Sequence, residues 1–347
     1  MNRLELKQVL KKAIKGVKDG SHSGAGSLFL QVKNGTLTIS SRNPIWAIRA
    51  WADIAEDEKE ISCVVDSALF TQVVDKMTGD DIKLSISKNS LVVRSGKMKA
   101  SIPSRDEKDW PKTQPFKSLY RLTISEESLS CSHALAKADA RNGLLASYHI
   151  EALEDGYCVT ATDGKRISIC NLGTGKMKFD CVIDGEFLKE AISLSGGKAY
   201  LETDTENILV VGEGIELYAK TRPERYPNIH SVTNNKKSTT SIIVNRKEFL
   251  EALLVSSLMD DVVIIEISGQ TITISNKPSI KGDTNTELNA VVNGPALRIG
   301  LNAFYLKEAI QTLKEDEITI HFDKPKAPIY LEEGTKFELV LPVNIPV

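Results

Sequence analysis

Val159 to Ile169, VTATDGKRISI, reads as a strand, a tight turn and a second strand. Val159, Ala161, Ile167 and Ile169 alternate with polar residues, the pattern of half-buried strands, and Asp163-Gly164 supplies the chemistry of a hairpin turn. Lys165 and Arg166 are therefore expected on a rigid hairpin. It lies near the middle of 347 residues, and similar helix-and-strand patterns occur on both sides of it.

One such pattern recurs at constant spacing. DSALFTQVVDKM from Asp66, DGEFLKEAISL from Asp184 and NAFYLKEAIQTL from Asn302 each read as a short helix; their starts are 118 residues apart (66 to 184 and 184 to 302). LKEAI is identical at Leu188 to Ile192 and Leu306 to Ile310. Three strand-like runs follow each helix: Ile82 to Ile86, Leu91 to Arg94 and Met98 to Ile102; Ala199 to Thr203, Leu209 to Val211 and Ile215 to Ala219; Ile318 to Phe322, Ile329 to Leu331 and Phe337 to Leu341.

A further helix and paired strands precede each of these units. That helix reads as Leu4 to Val17, Glu126 to Ala140 and Arg246 to Ser257. Polar linkers are expected at about 112 to 118 and 231 to 240, after Asp109-Trp110-Pro111 and Arg225-Tyr226-Pro227. The fold expected is α+β, three tandem copies of a helix-and-antiparallel-sheet domain spanning 1–118, 119–236 and 237–347. Three such domains could form a cluster, a solenoid or an arc.

Charge bears on that choice. The net charge is only −2, so any basic surface is local. Residues 1 to 20 hold Arg3, Lys7, Lys11, Lys12, Lys15 and Lys18 against Glu5 and Asp19. His133, Lys137 and Arg141 follow at four-residue steps in the second copy, and the second helices add Lys76, Lys189 and Lys307. Taken singly, these are solvated lysine faces. Their recurrence on equivalent helices would make one basic lining that holds a phosphate backbone without reading bases. Aromatics make up 6% of the chain and are scattered, which favours duplex DNA over a stacked single strand.

Cys63, Cys131, Cys158, Cys170 and Cys181 contain no C-x-x-C pair and read as reduced thiols of a cytoplasmic protein. No apolar run is long enough for a membrane span, and the chain opens on an amphipathic helix pattern, not a signal peptide. The five histidines fall in no nucleophile or metal pattern, and Asp163-Gly164-Lys165 lacks the flanking residues of a P-loop. No cofactor is expected.

The threefold repeat, Ala161 to Arg166 (ATDGKR), Tyr226-Pro227 and the final strand Leu339 to Val343 (LVLPV) together resemble the bacterial sliding clamps, the beta subunits of DNA polymerase III. The resemblance spans essentially the whole chain. It implies a ring-shaped homodimer around duplex DNA, helices inside and sheets outside, with no catalytic activity of its own. It also implies a peptide groove between the second and third domains for the polymerase III alpha subunit and the clamp loader. By position the groove would use Leu144, Thr162, Gly164, Lys165, Arg166 and Ile167 with Asn302, Tyr305, Val340, Leu341, Pro342 and Val343. DNA contact would fall to Lys7, Lys11, Lys15, Lys18, Lys76, Lys137, Arg141 and Lys189, and ring closure to Ala100 and Ile102 against Leu258 and Met259.

The chain departs from the family in three places. Ser23-Gly24-Ala25 replaces the usual Pro-Ile-Leu-type run, Ala100 is small for a buried closing contact, and Asn344 replaces a frequent arginine before Pro346-Val347 extend the end. These departures keep open a second reading, a divergent clamp-like protein that binds partners without closing stably on DNA.

Overall fold

Four helices begin on an asparagine or aspartate whose side chain accepts a hydrogen bond from the first helical turn. Asn2 caps α1 (Arg3–Ala13) and Asp66 caps α2 (Ser67–Lys76), accepting from the Leu4 and Leu69 amides at 2.8 Å. After α3 (Gly185–Leu194) and the short α4 (His230–Thr233), Asn245 caps α5 (Arg246–Met259) and Asn302 caps α6 (Ala303–Gln311), both at 3.0 Å. Each such cap is worth about 1 kcal/mol, so a sidechain chosen for local geometry sets where each helix starts.

The computed structural model describes residues 1–17, 26–56, 58–112, 116–137, 143–173, 178–278 and 280–345. Its contacts gather them into two compact units, Met1–Glu126 with Glu186–Thr221, and Glu127–Gly185 with Arg222–Val347. In the first unit, 11 antiparallel strands make one sheet. It joins strands of the first repeat to strands of the second where Trp46–Asp53 pairs with Ile215–Lys220, Ile48 opposite Leu217. Leu30, Ile39, Leu217 and Leu201 are wholly buried on one face, beneath Leu6 of α1, Phe70 of α2 and Phe187 of α3. Trp46 and Phe187 meet with ring centroids 5.8 Å apart, and Lys7 bridges to Asp75 at 2.9 Å between α1 and α2.

The second unit has a nine-stranded and a five-stranded antiparallel sheet. Asp180–Asp184, Ser147–Leu153, Gly156–Thr162 and Arg166–Leu172 come from the second repeat; Lys336–Val340, Ile329–Glu333, Glu317–Phe322, Thr240–Asn245 and Val291–Asn293 continue the same sheet from the third. Arg166–Leu172 pairs with Lys336–Val340 from Arg166 opposite Val340 to Cys170 opposite Lys336. Wholly buried Phe249 and Leu253 of α5, Leu306 and Ile310 of α6, and Ile265, Leu301, Ile320, Leu331 and Val340 of the strands form one core.

Three local expectations change. The helix expected over 126–140 is a 3-10 segment, Glu127–Ala134, with non-helical geometry at Leu129. In the linker expected from 231, α4 runs on to Thr233, with the Ser231 amide donating to Asn228 Oδ1 at 3.3 Å. In the central hairpin, Thr162 stands opposite Ile167 and Ala161 opposite Ser168. Directly opposed residues share a face, so Val159 and Ala161 lie on the side opposite to Ile167 and Ile169. Gly156–Thr162 is accordingly buried on both faces, down to Thr160 and Thr162.

Candidate functional site

The turn after Thr162 is built by its own side chains. Asp163 Oδ1 accepts from the Lys165 and Arg166 amides at 2.9 and 3.1 Å, and Gly164 takes a φ of 81° that favours glycine. Thr162 Oγ1 donates to the Arg166 carbonyl at 2.6 Å and accepts from the Gly164 amide at 3.1 Å. The two cations of the turn thereby part: Lys165 is exposed, whereas Arg166 is 6% exposed. Arg166 Nε donates to Asp163 Oδ2 at 3.0 Å, Nη1 to Glu308 of α6 and Nη2 to the His133 carbonyl. Its guanidinium carbon lies 4.5 Å from the Tyr305 ring centroid. Every nitrogen of the fork is engaged and two carboxylates offset its charge, so Arg166 fixes Tyr305 in place and offers no free positive charge to a ligand.

The other groove candidates divide between the two faces of the nine-stranded sheet. On the outer face Ile167 and Leu339 pack with Val182, Tyr226, Ile229, Tyr330 and Phe337, and Leu144, Ile169 and Leu341 lie half-buried at the margin of this cluster. Val340 points the opposite way, wholly buried in the core, so it supports the site from beneath and reaches no ligand. Leu339, Ile229 and Tyr226 were missed as site residues. Period-2 alternation through Phe337-Glu338-Leu339-Val340-Leu341 groups Leu339, not Val340, with Leu341. Val232, 40% exposed on α4, adds apolar surface three residues beyond Ile229.

At Leu341 the chain leaves the nine-stranded sheet, its amide donating to the Lys165 carbonyl at 3.0 Å. Pro342–Val343 then joins the five-stranded sheet, opposite Leu301 and Gly300. A Cβ on Gly300 would stand 2.8 Å from the Val343 carbonyl oxygen and run into Ile345, so the glycine makes room for the tail. Asn302 and Tyr305, at the start of α6, follow directly on this strand.

Of the expected DNA-contacting residues, Lys11, Lys76, Lys137 and Lys189 are exposed. Lys7 and Lys15 are ion-paired, to Asp75 at 2.9 Å and to Glu190 at 3.5 Å, which thins the basic face of α1 to α3. His133 is turned inward against Glu338. Lys18 and Arg141 lie outside the described residues, as do Ser21 to Ala25 and Pro346-Val347. Among the closing residues, Leu258 is 70% exposed, Met259 and Ala100 are half-buried, and Ile102 is 1% exposed. The Ile102 side chain therefore serves the interior of the first unit. Met98, on the same strand face, is 40% exposed.

All five cysteines are buried, and burial pushes Cys63 up to about 11 and Cys158 and Cys181 up to about 12. These three thiols stay protonated and unreactive at neutral pH. No described helix is long and apolar enough to cross a membrane.

Residues 235–344 match the family model described as DNA polymerase III beta subunit, C-terminal domain. Among curated proteins, the beta sliding clamp of Bacillus subtilis is 23% identical over 86% of this chain and 86% of its own length. That of Escherichia coli K12 is 21% identical over 89% and 88%. A crystal structure of the Bacillus subtilis DNA polymerase sliding clamp superimposes with a TM-score of 0.89 at 19% identity, covering 100% of this chain and 98% of its own. One from Pseudomonas aeruginosa gives 0.89 at 15% identity, covering 99% of both chains. Residues 235–344 thus match the C-terminal domain of DNA polymerase III beta subunits, and over most of its length the chain is similar to bacterial sliding clamps and shares their fold.

Proposed function

We propose that this clamp acts as a homodimeric ring of six domains, three per chain with boundaries at 1–118, 119–236 and 237–347. The ring encircles duplex DNA without sequence preference and holds polymerase III on it. The observation that carries this reading is a pair of open strand edges. Met98–Arg105 pairs with Ser90–Ser95 through Pro103 but meets Ile61–Asp66 only at Ser104 and Arg105, so, among the described residues, 98–103 keep one edge unpaired. Asn285–Asn289 is the end strand of the five-stranded sheet. Unpaired edges are liabilities in a monomer and natural joints in an assembly. Each edge on one subunit would pair with the other edge on its partner, with Met98 and Ala100 near Leu258 and Met259. Two identical joints of this kind close a ring.

The helices α1 to α3 would line the hole with Lys11, Lys76 and Lys189, with Lys7, Lys15, Lys18, Lys137 and Arg141 as further contacts. The linear motifs of the polymerase III alpha subunit and the clamp loader would place apolar side chains over Leu144, Thr162, Ile167, Leu339 and Leu341. The rest of the motif would run past Gly164 toward Asn302, Tyr305, Pro342 and Val343. Lys165 is the exposed cation at the rim. The protein would work in the cytoplasm.

The buried Ile102 and small Ala100 favour a second reading, a clamp that binds partners but closes weakly. Solution mass separates the two. Light scattering at several concentrations is expected to give twice 38.1 kDa. A monomer throughout would overturn ring closure and support the second reading.

A further inference from the structure

Glu338 is an anomaly in its strand. It stands between Phe337 and Leu339 in the middle of a sheet and is 2% exposed, where a carboxylate survives only with a full set of partners. Three segments supply them. Ser168, directly opposite in the strand that follows the turn, donates to Glu338 Oε1 at 2.6 Å. Thr312 Oγ1, at the end of α6, lies 3.1 Å from the same oxygen and 2.8 Å from the Ala309 carbonyl, so its one hydrogen is shared between the two acceptors. His133 Nε2 lies 3.1 Å from Oε2, and its Nδ1 lies 3.2 Å from the Ser130 carbonyl. A carbonyl can only accept, so Nδ1 faces Ser130 as donor and Nε2 faces the carboxyl group of Glu338.

The partners of Glu338 are the same segments that hold Arg166. The His133 carbonyl accepts from Arg166 Nη2, and α6, pinned at its far end through Thr312, carries Glu308 and Tyr305. The residues on either side of Glu338's own peptide plane matter too, since Leu339 enters the outer apolar cluster. We infer that Glu338, with His133, is a positioning residue for the peptide site, fixing the guanidinium of Arg166 and the ring of Tyr305 from beneath without touching a ligand. This rests on the groove reading above.

The test compares Glu338→Gln with Glu338→Leu. Glutamine keeps an acceptor for Ser168 and Thr312 and a donor for His133, whereas leucine keeps only the volume. Affinity for a fluorescein-labelled peptide from the polymerase III alpha subunit, read by anisotropy, is expected to fall about tenfold in Glu338→Leu and to stay within about twofold in Glu338→Gln. The Arg166 Nε–H signal of ¹⁵N-arginine-labelled protein is expected to persist in Glu338→Gln and to broaden or exchange rapidly in Glu338→Leu. A Glu338→Leu protein that keeps both affinity and signal would overturn the inference. If wild-type protein fails to bind the peptide, the groove reading falls, and the Arg166 signal alone decides whether Glu338 positions Arg166. Should Glu338→Leu not fold, His133→Leu breaks the same link and takes the same two measurements.

Discussion

Arg166→Ala is expected to lower the stability of the second unit by about 3 to 5 kcal/mol, the cost of stripping one partner from a buried ionic cluster. The substitution leaves Asp163 and Glu308 facing each other without their common cation and frees the His133 carbonyl. It also removes the support of Tyr305, so peptide affinity should fall by at least tenfold in whatever protein remains folded. Arg166→Lys should recover little, because an ammonium cannot span two carboxylates and a carbonyl in a fixed fork. Exposed Lys165→Ala, one residue away, should move stability by no more than about 0.5 kcal/mol. Urea unfolding of the three variants checks this; equal, small losses at both positions would show that the Arg166 cluster contributes no more than a surface ion pair.

The second large effect is expected at the helices of the first unit. Lys11, Lys76 and Lys189 are exposed on α1, α2 and α3. Lys7 and Lys15 face carboxylates in the free protein, so part of their charge is already offset. Reversing the three exposed residues to glutamate together should weaken association with a duplex oligonucleotide by about 10² or more near physiological salt. It should reduce the slope of log K against log salt by about 3, since each lost phosphate contact removes roughly 0.9 from it. The open strand edges lie elsewhere, so the dimer should persist. An unchanged slope, measured by anisotropy over a salt series, would mean that these helices do not face DNA.

Much of this fold was legible because its signals are local. Asp66, Asn245 and Asn302 announce helix starts by side-chain hydrogen bonds that need no tertiary context. Amphipathic spacing placed α1, α2, α3, α5 and α6, and alternation placed the strands of each repeat. The 3-10 segment Glu127–Ala134 was not legible as such, because its apolar residues are spaced like those of a helix while the Leu129 backbone breaks the run. The burial of Gly156–Thr162 on both faces, where alternation reads as a half-buried strand, was hidden for a related reason. Alternation within one strand says nothing about the register across the turn, and the turn set Val159 and Ile167 on opposite sides.

At the site, the motif placed the right turn but not its electrostatics. Lys165 and Arg166 look equivalent in sequence, and only the carboxylates of Asp163 and Glu308, the second 142 residues away, separate a solvated cation from a buried one. Glu338 could have been flagged from sequence, as a lone acid in an apolar strand. Its partners Ser168, Thr312 and His133 come from three separate segments and required the fold. A 118-residue period and two compact units partition the chain differently, because strands of neighbouring repeats share a sheet.

Encirclement is a topological property, and retention on DNA of two shapes tests it most directly. Labelled protein is loaded with a polymerase III clamp loader and ATP onto a nicked circular plasmid, then gel-filtered before and after the plasmid is cut once. A closed ring that slides is expected to co-elute with the circle, even at salt that abolishes simple binding, and to be lost from the linear form through its ends. Equal retention on both forms would contradict encirclement.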